Sequence, residues 1–467
     1  MPIIHWFRRD LRIYDNTALW HASVDSADGV IPIFIFDDSI LRHPDCGGAI
    51  VQFMLGCLED LRESLKKMGG DLLLLHGKPM KELKKVVKAT GAKSIYFNKD
   101  YDPAAVERDV EVEEFFPKKG VEVKHFKDLV IFEEREILAV SSGEPYTVYS
   151  PYRGAWMKKL KSEEPEEILP AAKLKFFPVK NLGVEAPTVE SLGFERIGGM
   201  EIEPGETVGR KMLGDFAGKT LKNYAKTRNF PAMTHGSSRL SPHLRHGTIS
   251  IREAVFTAKK HGADVWLGEL VWREFYQQIL FNFPEVATGA FKEKYRKLRW
   301  RKDKKGFDAW CWGRTGFPIV DAGMRQLNAT GWMHNRVRMI VAMFLTKDLR
   351  IDYRLGERYF AKRLIDHEVS QNNGNWQWSA STGTDAQPWF RIFNPVSQSK
   401  TYDPKGLYIR RWVGELERVP EEYIHEPQKM PEDVQRKARC VIGKDYPVPI
   451  VDHEEARRAA LKMFKGR

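Results

Sequence analysis

Trp376 and Trp378, separated by one residue, stand in a run of small and polar side chains that continues as Ser379-Ala380-Ser381-Thr382-Gly383-Thr384-Asp385. Asp366 and Asn372-Asn373-Gly374-Asn375 come just before them. Aromatic plates beside amides and carboxylates can line a cavity that stacks a flat ring and hydrogen-bonds its edge, which suits a flavin or a nucleobase. A W-x-W pair on its own is more often helix packing; here the neighbours are small and polar where a core would carry Leu, Ile and Val. Glu269 and Trp272 place a carboxylate and a plate one helical turn apart, on one face. Asn335 and Met339 repeat that spacing logic four residues apart, with Arg338 beside them. Ser237-Ser238-Arg239-Leu240-Ser241 brings small hydroxyls to a helix start, which suits a phosphate but is by itself only a capped helix.

Two kinds of element must hold these groups. Residues 1–128 alternate strand-like runs (Ile3 to Phe7, Val30 to Phe36, Asp71 to His76, Ser94 to Asn98) with helices across Val51 to Met68 and Met80 to Thr90. That alternation predicts an α/β unit built on a doubly wound parallel sheet. No G-x-G-x-x-G follows the first strand, so a dinucleotide in the usual place is not expected. Residues 129–203 lose periodicity and gather Pro and charge, as in Lys161-Ser162-Glu163-Glu164-Pro165-Glu166-Glu167, and read as a linker wrapped over the surface. Residues 204–467 read as all-helical, with periodic stretches at Leu267 to Phe283, Ile319 to Ala329, Asn335 to Leu349 and Tyr359 to Asp366.

At 467 residues two or three compact units are expected, and 42% hydrophobic content argues for a folded chain. No apolar run is long enough to span a bilayer, and Arg8-Arg9-Asp10 interrupts any signal peptide, so the expectation is a soluble, cytoplasmic monomer. Cys46, Cys57, Cys311 and Cys440 are scattered without metal-ligand spacing, so reduced thiols and no metal are expected. The formal charge of +12 fits a phosphate polymer as partner.

Gly331-Trp332-Met333-His334-Asn335-Arg336-Val337-Arg338-Met339, the block from Asn372 to Asp385, and Arg391-Ile392-Phe393-Asn394-Pro395 come in the order and spacing of the DNA photolyase/cryptochrome family. With Phe7-Arg8-Arg9-Asp10-Leu11-Arg12 at the start, the resemblance covers essentially the whole chain, and is closest to the class I cyclobutane pyrimidine dimer photolyases. It implies light-dependent repair of pyrimidine dimers in DNA by electron transfer from reduced FAD, with a cryptochrome-like blue-light receptor as the rival. The same resemblance implies that Glu269, Trp272, Asn335, Met339 and Trp378 meet the flipped-out lesion. Tyr224, Ser237, Ser238, Arg239, Leu240, Ser241 and Arg273 match residues around the pyrophosphate and adenosine.

Arg338, Asp366, Glu368 and Asn372 match residues at the isoalloxazine, Asn372 facing its N5 position. The chain reads Asp366-His367-Glu368 where many members have Asp-Gly-Asp, and carries one extra residue between Tyr224 and Ser237. Trp376 and Trp300 match the ends of an electron-transfer chain whose middle is here Tyr353, with Trp310 or Trp312 as a bypass. Arg391 and Lys400 match DNA-binding positions. Asp37 and Asp100 match carboxylates of a deazaflavin-type antenna site, while Ala104 and Ala105 replace the Asn-Glu pair of the folate type. A flavin or deazaflavin is therefore expected there in preference to folate, if a second chromophore binds.

Overall fold

The computed structural model describes residues 1–163 and 167–466; Glu164, Pro165 and Glu166 of the charged run, and Arg467, lie outside the described residues. The strands β1 (Ile3–Phe7), β2 (Val30–Phe36), β3 (Leu73–His76), β4 (Ser94–Asn98) and β5 (Glu122–Phe126) form one sheet in the order β3-β2-β1-β4-β5. Every pairing is parallel. β1 and β2 are apolar along almost their whole length and buried at every residue, as strands covered on both faces must be. The helices Gly48–Lys67 and Pro79–Thr90 fall where the pattern placed them. The pattern did not reveal the helices Thr17–Asp25 and Pro103–Phe115 or the edge strand β5, whose Glu122, Lys124 and His125 carry no apolar alternation.

Residues 129–203 are more than a surface wrap. They contain the helix Tyr149–Ser162, which buries Tyr152, Trp156 and Leu160 in a core shared with Leu267, Leu270, Val271 and Phe275 of the long helix Asp264–Asn282. Glu274 of that helix fastens the segment by accepting the backbone N–H groups of Ile131 (2.7 Å) and Phe132 (3.1 Å) and the Trp156 indole N–H (2.6 Å). Further on, Phe176 bridges back to Val30 at the start of β2.

The remainder is helical. The helix Val369–Ala380 packs against Asp264–Asn282, Asn335–Met343 and Tyr353–Arg363, so it brings the helices that carry most of the candidate residues together. The helix expected over Asn335 to Leu349 is regular to Met343 and widens to a π-helix over Phe344–Asp348, a form often found beside functional sites. Asp366 lies beyond the end of the Tyr353–Arg363 helix, in the loop before Val369. No helix among the described residues is long and apolar enough to cross a membrane.

The two units meet through buried charge. Arg9, beyond the end of β1, pairs with Glu368 of the helical unit and with Asp100 (2.9 Å) and Asp102 (3.4 Å) of its own. Arg252 crosses the same boundary to Asp15 (3.0 Å) and Asp128 (2.9 Å). The backbones also touch: Gly247 has φ +63°, and a Cβ there would overlap the Arg9 carbonyl, so this turn requires glycine on both counts.

Candidate flavin and lesion site

One cavity of about 430 Å³ in the helical unit is lined by all of Glu269, Trp272, Asn335, Met339 and Trp378. The same cavity takes Tyr224, Ser237, Ser238, Arg239, Leu240, Ser241, Arg273, Arg338, Asp366, Glu368, Asn372 and Trp376. Residues more than a hundred positions apart in the chain thus converge, because the helices that bear them pack on one another.

Asp264–Asn282 supplies Glu269 and Trp272. The Glu269 carboxylate accepts from Arg228 Nη1 at 2.6 Å, a cation that the sequence reading passed over and that also lines the cavity. Trp272 is half-buried and lies flat against Tyr149. Asn335–Met343 supplies Asn335, Arg338 and Met339; the Asn335 amide and the Met339 sulfur are 3.9 Å apart, so they offer a mixed polar and soft surface.

His334 caps this helix, its Nδ1 accepting from the Arg336 N–H at 3.2 Å. Burial, reinforced by Arg336 and Arg338, lowers its pKa to about 3, so the ring is neutral. With Nδ1 accepting, the proton sits on Nε2, which is buried without a protein partner in a residue that lines the cavity. A neutral donor is therefore available there, and its signal in the sequence was the G-W-M-H-N run itself.

Arg338 grips Asp366 with both arms, at 3.2 and 2.7 Å. Asn372 donates through Nδ2 to the Glu357 carbonyl at 2.9 Å, which orients the amide and leaves Oδ1 as its acceptor. Glu368 is buried and accepts from Arg9, from Arg273 (3.3 Å) and from Gln277 (2.9 Å). Burial opposes its ionisation, but Arg273 and Arg9 hold its pKa down at about 2. A carboxylate fixed in this way stays charged at the cavity wall. Arg239 adopts a left-handed backbone (φ 54°), donates to Glu201 at 2.8 Å and lies over the Trp332 ring, while its Nε is buried without a partner.

Nitrogens of Arg239, Arg273, His334 and His367 are all buried without protein partners around this one cavity. Buried polar nitrogens left open in this number mark a site built for a polar ligand. Flat apolar walls, an Arg–Asp fork, a fixed amide and serines at the entry to the helix Ser241–His246 fit FAD.

The remaining expected residues lie elsewhere. Tyr353 meets Trp300 edge-on at 6.3 Å, whereas the ring neighbours of Trp376 are Phe360 (5.0 Å) and Trp310 (6.0 Å). Trp310 continues to Tyr359 at 5.7 Å, and Trp312 is exposed on the surface. Asp37 caps a short helix through Ser39 (2.9 Å), and Asp100 is held by Arg9; neither lines the cavity. Arg391 and Lys400 are exposed, and Lys400 pairs with Glu426 at 2.8 Å.

Residues 3–171 match the family model described as DNA photolyase, and residues 266–466 match the FAD binding domain of DNA photolyase. The chain is 40% identical over 479 residues to a deoxyribodipyrimidine photo-lyase of Alkalihalophilus pseudofirmus, covering 99% of this chain and 97% of that protein. It is 36% identical to that of Escherichia coli, covering 99% and 98%. A bacterial class III photolyase from Agrobacterium tumefaciens superimposes with a TM-score of 0.91 at 39% identity, covering 100% of this chain and 97% of that one. The cryptochrome of Synechocystis follows with 0.86 at 29% identity, covering 99% of each. The two-unit architecture and the cavity fit a flavoprotein, and the chain belongs to the DNA photolyase family.

Proposed function

We propose that this protein binds reduced FAD and repairs cyclobutane pyrimidine dimers in DNA under near-UV or blue light. The observation that carries this reading is the convergence of Glu269, Trp272, Asn335, Met339 and Trp378 on the cavity that also holds the Arg338–Asp366 fork and Asn372. Bound reduced FAD supplies light absorption and the electron that the dimer accepts and returns, so the reaction is redox-neutral overall. The chain's own residues do the rest. Trp272 and Trp378 are plates between which a flipped dimer stacks, an extrusion made cheaper because the lesion is already poorly stacked in the duplex. Glu269, steadied by Arg228, hydrogen-bonds the pyrimidine edge, and Asn335 and Met339 fill the opposite side. Arg338 and Asp366 flank the isoalloxazine, the Asn372 carbonyl oxygen accepts from its N5 edge, and the Ser237–Ser241 segment holds the pyrophosphate.

Arg391 and Lys400, both exposed, are proposed to contact DNA phosphates, where they would set position and not sequence. A second chromophore, flavin or deazaflavin and not folate, is proposed for the α/β unit. The photolyase of Sulfolobus tokodaii, 34% identical with a TM-score of 0.84, is described with two FAD molecules and supports this. The test is a duplex carrying one dimer, incubated with reduced holoprotein in blue light and in darkness. Restoration only in light is expected. Restoration in darkness sinks the reading, and a light-driven spectral change of the flavin without restoration selects the receptor reading instead.

A further inference from the structure

Trp272 is held by the segment that joins the two units. Its indole lies against the ring of Tyr149 with centroids 3.6 Å apart and planes 7° from parallel. Aromatic pairs left to themselves prefer offset or edge-on arrangements to a close face-to-face stack. Here the Tyr149 ring is anchored independently: its hydroxyl donates to the Gly268 carbonyl at 2.7 Å, one turn before Trp272 on the same helix. Phe275 meets both rings edge-on, Tyr149 at 5.8 Å and Trp272 at 5.6 Å. Tyr149 lines a neighbouring cleft and not the cavity, so it backs the indole from outside.

The same short segment reaches the loop that follows the helix of Trp378. The Tyr149 N–H donates to Asp385 Oδ2 at 3.2 Å, and the Thr384 hydroxyl donates to the Thr147 carbonyl. Thr384 and Asp385 belong to the loop that follows the helix bearing Trp378. Thr147–Tyr149 is thus stacked on Trp272 and hydrogen-bonded to the loop that leaves the helix of Trp378.

We infer that Thr147–Tyr149 is a brace that sets the plane of Trp272 and the gap between Trp272 and Trp378, with Tyr149 as a positioning residue for lesion binding. This rests on the proposed function, since it needs the gap to be the lesion's seat. Affinities of reduced holoprotein for a single-dimer duplex and for the same duplex undamaged test it, in wild type, Tyr149→Leu, Tyr149→Phe and Asp385→Ala.

Tyr149→Leu should weaken dimer binding and raise KM about two- to tenfold, the worth of one aromatic pair, with kcat at saturating DNA and affinity for undamaged DNA unchanged. Tyr149→Phe keeps the ring but loses its hydroxyl anchor on Gly268, so its loss should be dimer-selective and smaller than that of Tyr149→Leu; Asp385→Ala should likewise show the selective loss in weaker form. Wild-type dimer affinity in Tyr149→Leu, equal loss on both duplexes, or a loss in Tyr149→Phe as large as in Tyr149→Leu would each overturn the brace. Should Tyr149→Leu not fold, Asp385→Ala decides alone: a dimer-selective loss supports the brace and an unchanged preference overturns it. A wild-type protein with no preference for the dimer would overturn the reading of the cavity and the brace with it. Failure of the brace alone leaves that preference intact.

Discussion

Glu269 enters the cavity already paired with Arg228, and Trp272 already backed by a ring, so the lesion side of the site is preorganised before DNA arrives. Truncating a plate should therefore read out as lost stacking and little else. Trp272→Ala and Trp378→Ala are each expected to weaken binding to dimer DNA by about 1–3 kcal/mol while leaving undamaged DNA almost untouched. Titrating both duplexes against each variant checks this, and equal losses would assign the rings to the fold. The residues that face one another along a single helix were legible in the sequence, since Glu269 with Trp272 and Asn335 with Met339 follow from helical spacing alone. Arg228, Tyr149 and Arg9 were not, because each acts from a different segment and no local period relates it to its partner.

The helix Val369–Ala380 carries Asn372, Trp376 and Trp378, which places the proposed flavin contact, electron entry and lesion wall on a few turns of one rod. Its packing is unforgiving, since a Cβ at Gly356 would overlap the Trp376 indole. The ring contacts of Trp376 run through Trp310 to Tyr359, while Tyr353 and Trp300 form a pair of their own; on the proposed function these are the two candidate routes for the electron. Tyr359 donates its hydroxyl proton to Asn328 (2.7 Å) and to the Cys311 carbonyl (2.9 Å). Burial and the neighbouring Glu357 push the Tyr353 phenol pKa well up, and the ring neighbours of Trp376 are Phe360 and Trp310, so the route through Trp310 is the more direct. Tyr353→Phe should thus be nearly silent in photoreduction and Trp310→Phe costly, with chemically reduced enzyme repairing DNA normally in both. Transient absorption of the aromatic radicals decides, and their loss in Tyr353→Phe would refute the bypass. The helix Tyr149–Ser162 escaped the sequence reading because its buried residues Tyr152, Trp156 and Leu160 recur only every fourth position among lysines, a single row and not a broad stripe. Strands β1, β2 and β4 were plain because burial on both faces demands unbroken apolar runs.

Across the whole molecule, the ionic seam between the units predicts a pH response. Glu368 titrates near 2 in place of its ordinary 4.5, so its contribution to stability is complete above pH 4.5 and is lost as pH falls from there toward 2. The size is about 3 kcal/mol by linkage. Asp102 works in the opposite sense: burial and Asp100 raise it to about 6, so its contribution is present below its ordinary 3.8 and is gone above pH 6. Glu368→Gln should therefore flatten the acid limb of the unfolding free energy below pH 4.5, measured by denaturant titration at a series of pH values. An acid limb as steep as wild type would place the acid sensitivity elsewhere.

That seam also changes what the α/β unit is for. A light-harvesting unit is an accessory, something an enzyme excited directly in its own cofactor could discard. Here Arg9 neutralises a carboxylate on the wall of the cofactor cavity, and Asp15 and Asp128 do the same for Arg252 of the helical unit. A helical unit produced without residues 1–128 would lose those counter-ions and the cover that buries them, leaving Arg273 and Gln277 as the partners of Glu368. The α/β unit lines none of the cavity itself, yet through Arg9 it steadies Glu368, a residue that does, and that support is independent of any antenna.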